Sequence, residues 1–299
     1  MDSPEAVHDE ILQILSLISS DFAAEPEPLR RVFSFVTDLY RGRMEEYQAC
    51  NTDYHDLRHI TDTYLAMARL LHGAHLSGEK FSNSDIILGL TGSLMHDTGL
   101  IQESSDTEGT GAKYTQDHVR LSMDFVERHA DILQLDGQEV KDLGDMILCT
   151  DLPTDIPAIN FSSQTIELLG KMLATADLIA QMADHTYLEK LLFLFHEFRE
   201  GEVGNFKNEI DFLHHSLDFF KDSEERFTET LDNTRRFMLP HFKARWGIDK
   251  NLYVLSIENQ RKFLEKIIAD KDTSIYRELK RGNIVEQVRK KFGDTGLKK

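Results

Sequence analysis

The chain has 299 residues and a formal net charge of −18, from 34 Lys and Arg against 52 Asp and Glu. An apolar fraction of 40% supplies a core, and 6 prolines with 17 glycines are too few for a disordered or collagen-like chain. The acidic balance, without a run of Lys or Arg, excludes a groove for long nucleic acids, because such a groove needs clustered positive charge. A small anionic substrate remains compatible if bound metal supplies positive charge.

Cysteine usage and the first residues indicate the compartment. Cys50 and Cys149 are the only cysteines, which excludes a disulfide framework and any zinc module of three or four thiolates. Residues 1–5 are acidic where a secretory signal is basic, and no apolar run approaches the ~20 residues that cross a bilayer. We therefore expect a soluble cytoplasmic protein without a membrane partner.

Apolar residues recur at three- and four-residue spacings along nearly the whole chain, which predicts helices and no strands. About eleven helices are expected, at residues 5–20, 28–49, 56–76, 83–96, 114–131, 137–150, 164–183, 186–200, 206–238, 251–270 and 273–292. Pro, Gly, Ser and Asp collect in three short breaks, at residues 24–28, 103–113 and 151–163, and we expect the middle break to be the most mobile. The sequence therefore predicts an all-α fold, a compact helical bundle in a single domain.

Phosphate-binding glycine loops and the nucleophile elbow are missing from the sequence, so its chemistry must come from His and Asp. His96 and Asp97 end the apolar stretch of residues 86–95, just before Gly99. A charged pair at the inner end of an apolar helix is costly unless it is paired or binds metal. A hydrogen-bonded core His with a capping Asp would explain this dipeptide equally well.

Two further segments carry candidate site residues. His55 and His59 are four residues apart at the start of a predicted helix, so they share one face and lie about 6 Å apart. Such a pair can divide labour, with one imidazole binding metal and the other transferring a proton. Asp177 interrupts an otherwise small or apolar helical stretch, where an unpaired Asp is costly. It is either a core Asp bonded to a neighbouring helix or a metal ligand.

Three other features are interpreted as structural. The acidic stretch of residues 197–202 is expected to be a solvated helix end, and His214 with His215 a solvated flank of a core helix. The phenylalanines between residues 193 and 227 are expected to pack in the core, with one or two lining a pocket.

Two imidazoles and two carboxylates from three helices form an ordered H…HD…D pattern, made by His59, His96, Asp97 and Asp177. This pattern resembles the HD superfamily of metal-dependent phosphohydrolases, an all-helical fold. The fuller run is similar to the class I cyclic nucleotide phosphodiesterases, whose YHxxxH, HD, ATD and ADL elements are matched at residues 54–59, 96–97, 149–151 and 176–178. The resemblance covers roughly residues 50–185, with faint similarity as far as Pro240.

The resemblance implies a role for each matched residue. His55 corresponds to the general acid. The implied metal ligands are His59, His96, Asp97 and Asp177. We expect Asp97 to act in catalysis as well, by bridging two metals. His118 and Asp151 are expected at the second metal or in the shell around it.

The resemblance also suggests how the chain is organised. Residues 50–185 would form an HD-type metal-binding core, on which the N-terminal helices of residues 1–49 pack. The C-terminal helices of residues 186–299 would complete the same domain and the substrate pocket.

Two imidazoles and two carboxylates suit Fe, Mn, Zn or Co at a tight site, with Mg or Mn at a water-rich second site. The expected activity is cleavage of a phosphodiester of a small nucleotide-like substrate, such as a cyclic nucleotide, by metal-activated water. A nucleotide phosphomonoesterase and a non-catalytic domain that binds metal or nucleotide are the alternatives, and a homodimer remains open. The family holds its purine with a late Gln, but none occurs between Gln181 and Gln260, so base selection should be loose.

Overall fold

The computed structural model describes residues 3–270 and 274–293, which form fourteen α-helices. In chain order these are α1 (Pro4–Ser16), α2 (Glu27–Tyr40), α3 (Leu57–Leu76), α4 (Asn83–Met95), α5 (His118–Arg128), α6 (Ala130–Leu133), α7 (Gly137–Leu148), α8 (Gln164–Ala183), α9 (Tyr187–Glu200), α10 (Glu209–Glu225), α11 (Met238–Trp246), α12 (Leu252–Ala269), α13 (Ile275–Glu278) and α14 (Ile284–Phe292). Within these residues there is no strand, only an isolated bridge between Tyr47 and Glu103. The all-α prediction is confirmed.

The number of helices in the described residues is fourteen, so the expectation of about eleven is wrong. His129 leaves helical geometry, with φ −108° and ψ 10°, and divides the predicted helix of residues 114–131 into α5 and α6. The last predicted helix becomes α13 and α14. α11 was not predicted, and it contains Pro240 in its first turn, where proline is tolerated.

Smaller differences concern helix ends and the limits of the description. The predicted helix of residues 28–49 ends at Tyr40, because Gly42 turns the chain with φ +67°. Residues 1–2, 271–273 and 294–299, which include the start of the last predicted helix and both chain ends, lie outside the described residues. No helix that the structure describes is both long and apolar enough to cross a membrane.

The helices that carry the candidate site residues lie at the centre of the packing. α3 packs on α1, α4, α8 and α11, and α8 packs also on α4, α7 and α12. A second cluster of buried side chains joins α9, α10, α12, α13 and α14, and Phe219 and Ile257 pack against both clusters. Local capping determines where α3 begins, since the Asp56 side chain accepts a 2.9 Å hydrogen bond from the His59 amide.

The break at residues 103–113 is more strongly held than its composition suggests. Gln102 donates hydrogen bonds to the carbonyls of Asp106 and Glu108. Lys113 and the Tyr114 hydroxyl both bind the Asp106 carboxylate and hold its pKa below the ordinary value. The expectation of a mobile segment there is not supported by these contacts.

A pair of buried imidazoles joins α3 to α11. The Nδ1 atoms of His72 and His241 are 2.9 Å apart, so one donates a hydrogen bond to the other. His241 Nε2 is buried and has no hydrogen-bond partner among the described residues. Burial lowers the pKa of His72 to about 4 and that of His241 to about 3. Both side chains are therefore neutral in the folded protein near neutral pH.

We predict that this pair makes the protein sensitive to acid. In the unfolded chain both histidines bind protons below about pH 6.5, whereas the folded protein resists protonation until about pH 4. Stability therefore falls as pH falls through this window, by about 1–2 kcal/mol at pH 5 for each histidine after allowance for solvent screening. Urea unfolding at pH 7 and pH 5 should show a smaller loss in a His72→Asn/His241→Asn double variant. The exposed His214→Asn variant is the matched control, and an equal loss in all three proteins would contradict the prediction.

Candidate metal centre

Four predicted ligands are brought together where α3, α4 and α8 meet. His59 lies in the first turn of α3, which the Asp56 cap fixes. His96 caps the end of α4 and Asp97 follows it, while Asp177 lies within α8. The contacts of α3 with α4 and of both helices with α8 place these side chains against one another.

The ligand atoms face a common centre. His59 Nε2 is 3.2 Å from Asp97 Oδ2, 3.2 Å from Asp177 Oδ1 and 3.3 Å from His96 Nε2. His96 Nε2 lies 3.3 Å and 3.7 Å from the same two oxygens. Two atoms bound to one ion at about 2.1 Å are about 3.0–3.4 Å apart in octahedral or tetrahedral geometry. All of these separations except the 3.7 Å between His96 Nε2 and Asp177 Oδ1 therefore suit a shared ion.

The hydrogen bonds around the cluster also favour a cation. His96 Nδ1 donates to the Ser93 carbonyl at 3.0 Å, so this tautomer turns the Nε2 lone pair toward the cluster. Asp97 Oδ2 is buried and forms no well-aligned hydrogen bond with the described residues. A buried carboxylate oxygen facing a lone pair is costly without a positive charge between them. His59, His96 and Asp97 can hold a metal ion.

His118 marks a second position next to the first. Its Nδ1 donates to the Thr115 carbonyl at 2.7 Å, and its Nε2 lies 3.5 Å from Asp97 Oδ1. Gly99 permits this approach, because a Cβ there would lie 2.2 Å from the His118 carbonyl oxygen. Asp97 thus turns one oxygen to the imidazoles of His59 and His96 and the other to His118. This is the arrangement that a carboxylate bridging two ions requires.

The partner of His55 is Glu197, for which the expectation of a solvated helix end is wrong. Glu197 is only 5% exposed, and its Oε2 lies 2.7 Å from His55 Nδ1. Its Oε1 accepts hydrogen bonds from the amides of Asp53 and Tyr54, at 2.7 and 2.6 Å. Burial by itself lowers the pKa of His55, but the Glu197 carboxylate outweighs burial and raises it. Glu197 therefore stabilises a protonated His55.

Two further contacts determine the surroundings of the ligands. The Tyr54 hydroxyl donates to Gln181 Oε1 at 2.7 Å, and Gln181 Nε2 donates to Asp177 Oδ1 at 3.3 Å. Asp151 lies on the wall of the adjoining cavity, and its Oδ2 accepts a hydrogen bond from Thr154. Asp151 was expected at the second metal or in the shell around it, and that expectation stays a prediction; the Nδ1 atoms of His118 and His55 have the other partners described above.

A cavity of about 480 Å³ opens onto the cluster. Its polar wall contains His55, His118, Asp151, Asp177 and Gln181. Its apolar lining comes mainly from α9, α10 and the segment between them, and includes Phe198, Phe206, Phe212 and Phe219. Four phenylalanines therefore line this pocket, where one or two were expected. His215 also lies on this wall, in edge contact with Phe206.

The structure places His55, His59, His96, Asp97, Asp177 and His118 around one centre, with Asp151 at its edge. Protein-family models, curated proteins and solved structures give no match to this chain. Function therefore has to be inferred from the site itself.

We predict that metal binding is coupled to proton release. Burial disfavours the charged form of His59, but the Asp177 and Asp97 carboxylates outweigh burial and raise its pKa to about 10. At pH 7 the metal-free protein therefore carries an imidazolium that must lose its proton to bind an ion. Zn²⁺ or Mn²⁺ binding should release about one proton and tighten about tenfold per pH unit from pH 6 to 9.

Calorimetry in two buffers of different ionisation enthalpy measures this release. His59→Ala should lose tight binding, whereas His75→Ala, an exposed imidazole on the same helix, should retain it. Binding without proton release, or with unchanged affinity across this pH range, would count against the assignment of His59 as a ligand.

Proposed function

We propose that the protein is a metal-dependent phosphohydrolase that cleaves a small phosphodiester. The observation that carries the proposal is the position of His55 beside the ligand cluster. Its ring centroid lies 5.7 Å from that of His59 and 6.3 Å from that of His118, and all three imidazoles border the same centre. A proton donor next to a candidate metal centre is the combination that phosphoester hydrolysis needs.

The residues divide the work as follows. Divalent ions held by His59, His96, Asp97 and Asp177 would supply an activated water and neutralise charge on the phosphoryl oxygens. His55 Nδ1 is occupied by Glu197, which leaves Nε2 to donate a proton to the departing oxygen.

Glu197 and Gln181 act as positioning residues. Glu197 accepts bonds from His55 and from the backbone just before it, so ring and backbone move as one unit. Gln181 links Asp177 to the Tyr54 hydroxyl and so restricts the carboxylate to one orientation.

The cavity supports a substrate with a phosphate end and a flat or apolar end. Its volume of about 480 Å³ accommodates more than a phosphate group, and four phenylalanines form part of its lining. The two glutamines on its wall are already committed: Gln181 binds Tyr54 and Asp177, and Gln116 donates to the Gly201 and Glu202 carbonyls. Base selection through a free amide is therefore not supported by either glutamine.

The two alternatives fit the cavity less well. A nucleotide phosphomonoesterase would use the same metal site with a smaller leaving-group pocket than this cavity of about 480 Å³. A domain that binds metal without turnover has no need of an imidazole held protonated by a buried carboxylate.

We predict that mutation distinguishes the metal ligands from the proton donor. Asp177→Ala should lose metal and activity together, whereas His55→Ala should keep the metal and lose about 100-fold or more in kcat. Glu197→Gln should keep the metal and lose about 10–100-fold, because the imidazolium loses its counter-charge. Metal analysis and initial rates on bis-p-nitrophenyl phosphate measure both properties. Glu200→Gln, one turn further along α9, is the matched control. Full activity of His55→Ala would refute the general-acid role.

A second prediction concerns substrate choice. The metal-loaded protein should hydrolyse bis-p-nitrophenyl phosphate faster than p-nitrophenyl phosphate, and should favour cyclic AMP or cyclic GMP by less than about tenfold in kcat/KM. The reason is that phosphate binding depends on the metal centre, while neither cavity glutamine has both the donor and the acceptor of its amide free for the base. Faster monoester cleavage would favour the phosphomonoesterase. Absence of turnover by the loaded protein would favour the binding domain.

A further inference from the structure

A second cavity lies away from the metal centre, where α3, α11 and α12 meet near the end of α8. Its volume is about 470 Å³, within the about 300–1,000 Å³ typical of small-molecule sites. We call it the Arg69 groove and define it by Arg69, Phe242, Trp246, Ile248, Leu252 and Tyr253. It shares no lining residue with the cavity over the cluster. His59 and Arg69 both lie on α3, about 15 Å apart at 1.5 Å per residue.

Arg69 is the charged group of this groove. Its guanidinium lies 5.8 Å from the ring centroid of Phe242 and 5.7 Å from that of Tyr253. Nη1 donates a 2.8 Å hydrogen bond to the Tyr253 hydroxyl, while the buried Nε has no partner among the described residues. A guanidinium has five N–H donors, so most of its hydrogen-bonding capacity is not used by those residues. The two aromatic rings restrain the orientation of the guanidinium, but they carry no negative charge.

No carboxylate of the described residues forms an ion pair with Arg69, although the chain carries 52 acidic residues. The contrast with its neighbour is direct, because Arg245 binds both oxygens of Glu10 at 3.0 Å. The effect of the charge is visible at His241, whose pKa is lowered first by burial and then by Arg69. Arg69 therefore presents a positive charge that the surrounding side chains leave uncompensated.

The rest of the groove is apolar and open to solvent. Trp246 is 47% exposed and Leu252 37% exposed, so both rim side chains present apolar surface to water. Ser256, a polar lining residue, already donates to the Ala183 carbonyl at 2.7 Å. One cation at the base and an apolar rim complement a molecule with one negative charge and an apolar tail.

We propose that the Arg69 groove binds a small amphiphilic carboxylate from solution. The carboxylate would pair with the guanidinium, whose planar fork matches two carboxylate oxygens, and the tail would lie along Trp246 and Leu252. This site is separate from the metal centre and does not depend on the proposed hydrolase activity.

Trp246 is the only tryptophan in the chain, so its fluorescence reports on this groove alone. Octanoate should change the emission saturably. Octylammonium, which has the same tail and the opposite charge, should bind at least about tenfold more weakly. Arg69→Met preserves the apolar stem and should weaken octanoate at least about tenfold while leaving 1-octanol unaffected. The matched control is Arg120→Met, an exposed arginine paired with acidic residues on α5.

Folding is checked by the circular dichroism spectrum and melting temperature of each variant, and Arg69→Gln is a second variant if Arg69→Met melts early. Equal affinity for octanoate and octylammonium, or no saturable change with octanoate, would overturn the proposal. A dimer that dissociates in Trp246→Ser and ignores octanoate would overturn it too, because a second copy would then cover the groove.

Discussion

Two carboxylates and two imidazoles meet inside a helical core, and this meeting constrains the rest of the molecule. Asp97 is 2% exposed and His96 1% exposed, so neither relies on water to balance its charge or lone pair. Compensation has to come from the other members of the cluster, which leave a position where an ion can bind. The packing of α3, α4 and α8 therefore has two functions. It buries apolar surface, and it holds the imidazole nitrogens 3.2–3.7 Å from the carboxylate oxygens.

Three of the four members of the cluster could be predicted from sequence because each breaks a local rule, whereas His59 was indicated by its four-residue spacing from His55. Asp177 interrupts an apolar helix, and His96 with Asp97 ends another, so each position is costly unless it has a polar partner. Glu197 breaks no such rule. It lies in a run of charged residues near the end of α9, and its contact with His55 spans 142 positions of sequence. Long-range pairing of this kind leaves no periodic signal. The contact of Gln181 with Tyr54, which spans 127 positions, was missed for the same reason.

Helix formation was predictable, but helix ends were less so. The three- and four-residue spacing of apolar residues depends on burial of one face, and that burial is seen in the core around α3 and α8. Helix ends depend on single residues whose effect varies with their position. Pro240 lies in the first turn of α11, whereas Gly42 turns the chain just after α2. The segment at residues 103–113 shows the same limit, because polar composition indicates a loop without indicating how firmly its side chains hold it.

Glu197 accepts hydrogen bonds from the backbone just before His55, and this contact affects the order in which parts of the site form. Every member of the ligand cluster precedes Glu197 in the sequence, so a ribosome releases them first. Helices α3 to α8, which carry the whole cluster, are thus synthesised while α9 is still absent. At that stage His55 lacks the carboxylate that pairs with its Nδ1. Docking of α9 then supplies that carboxylate, so the cluster and the position of His55 are completed at separate steps in the synthesis of the chain.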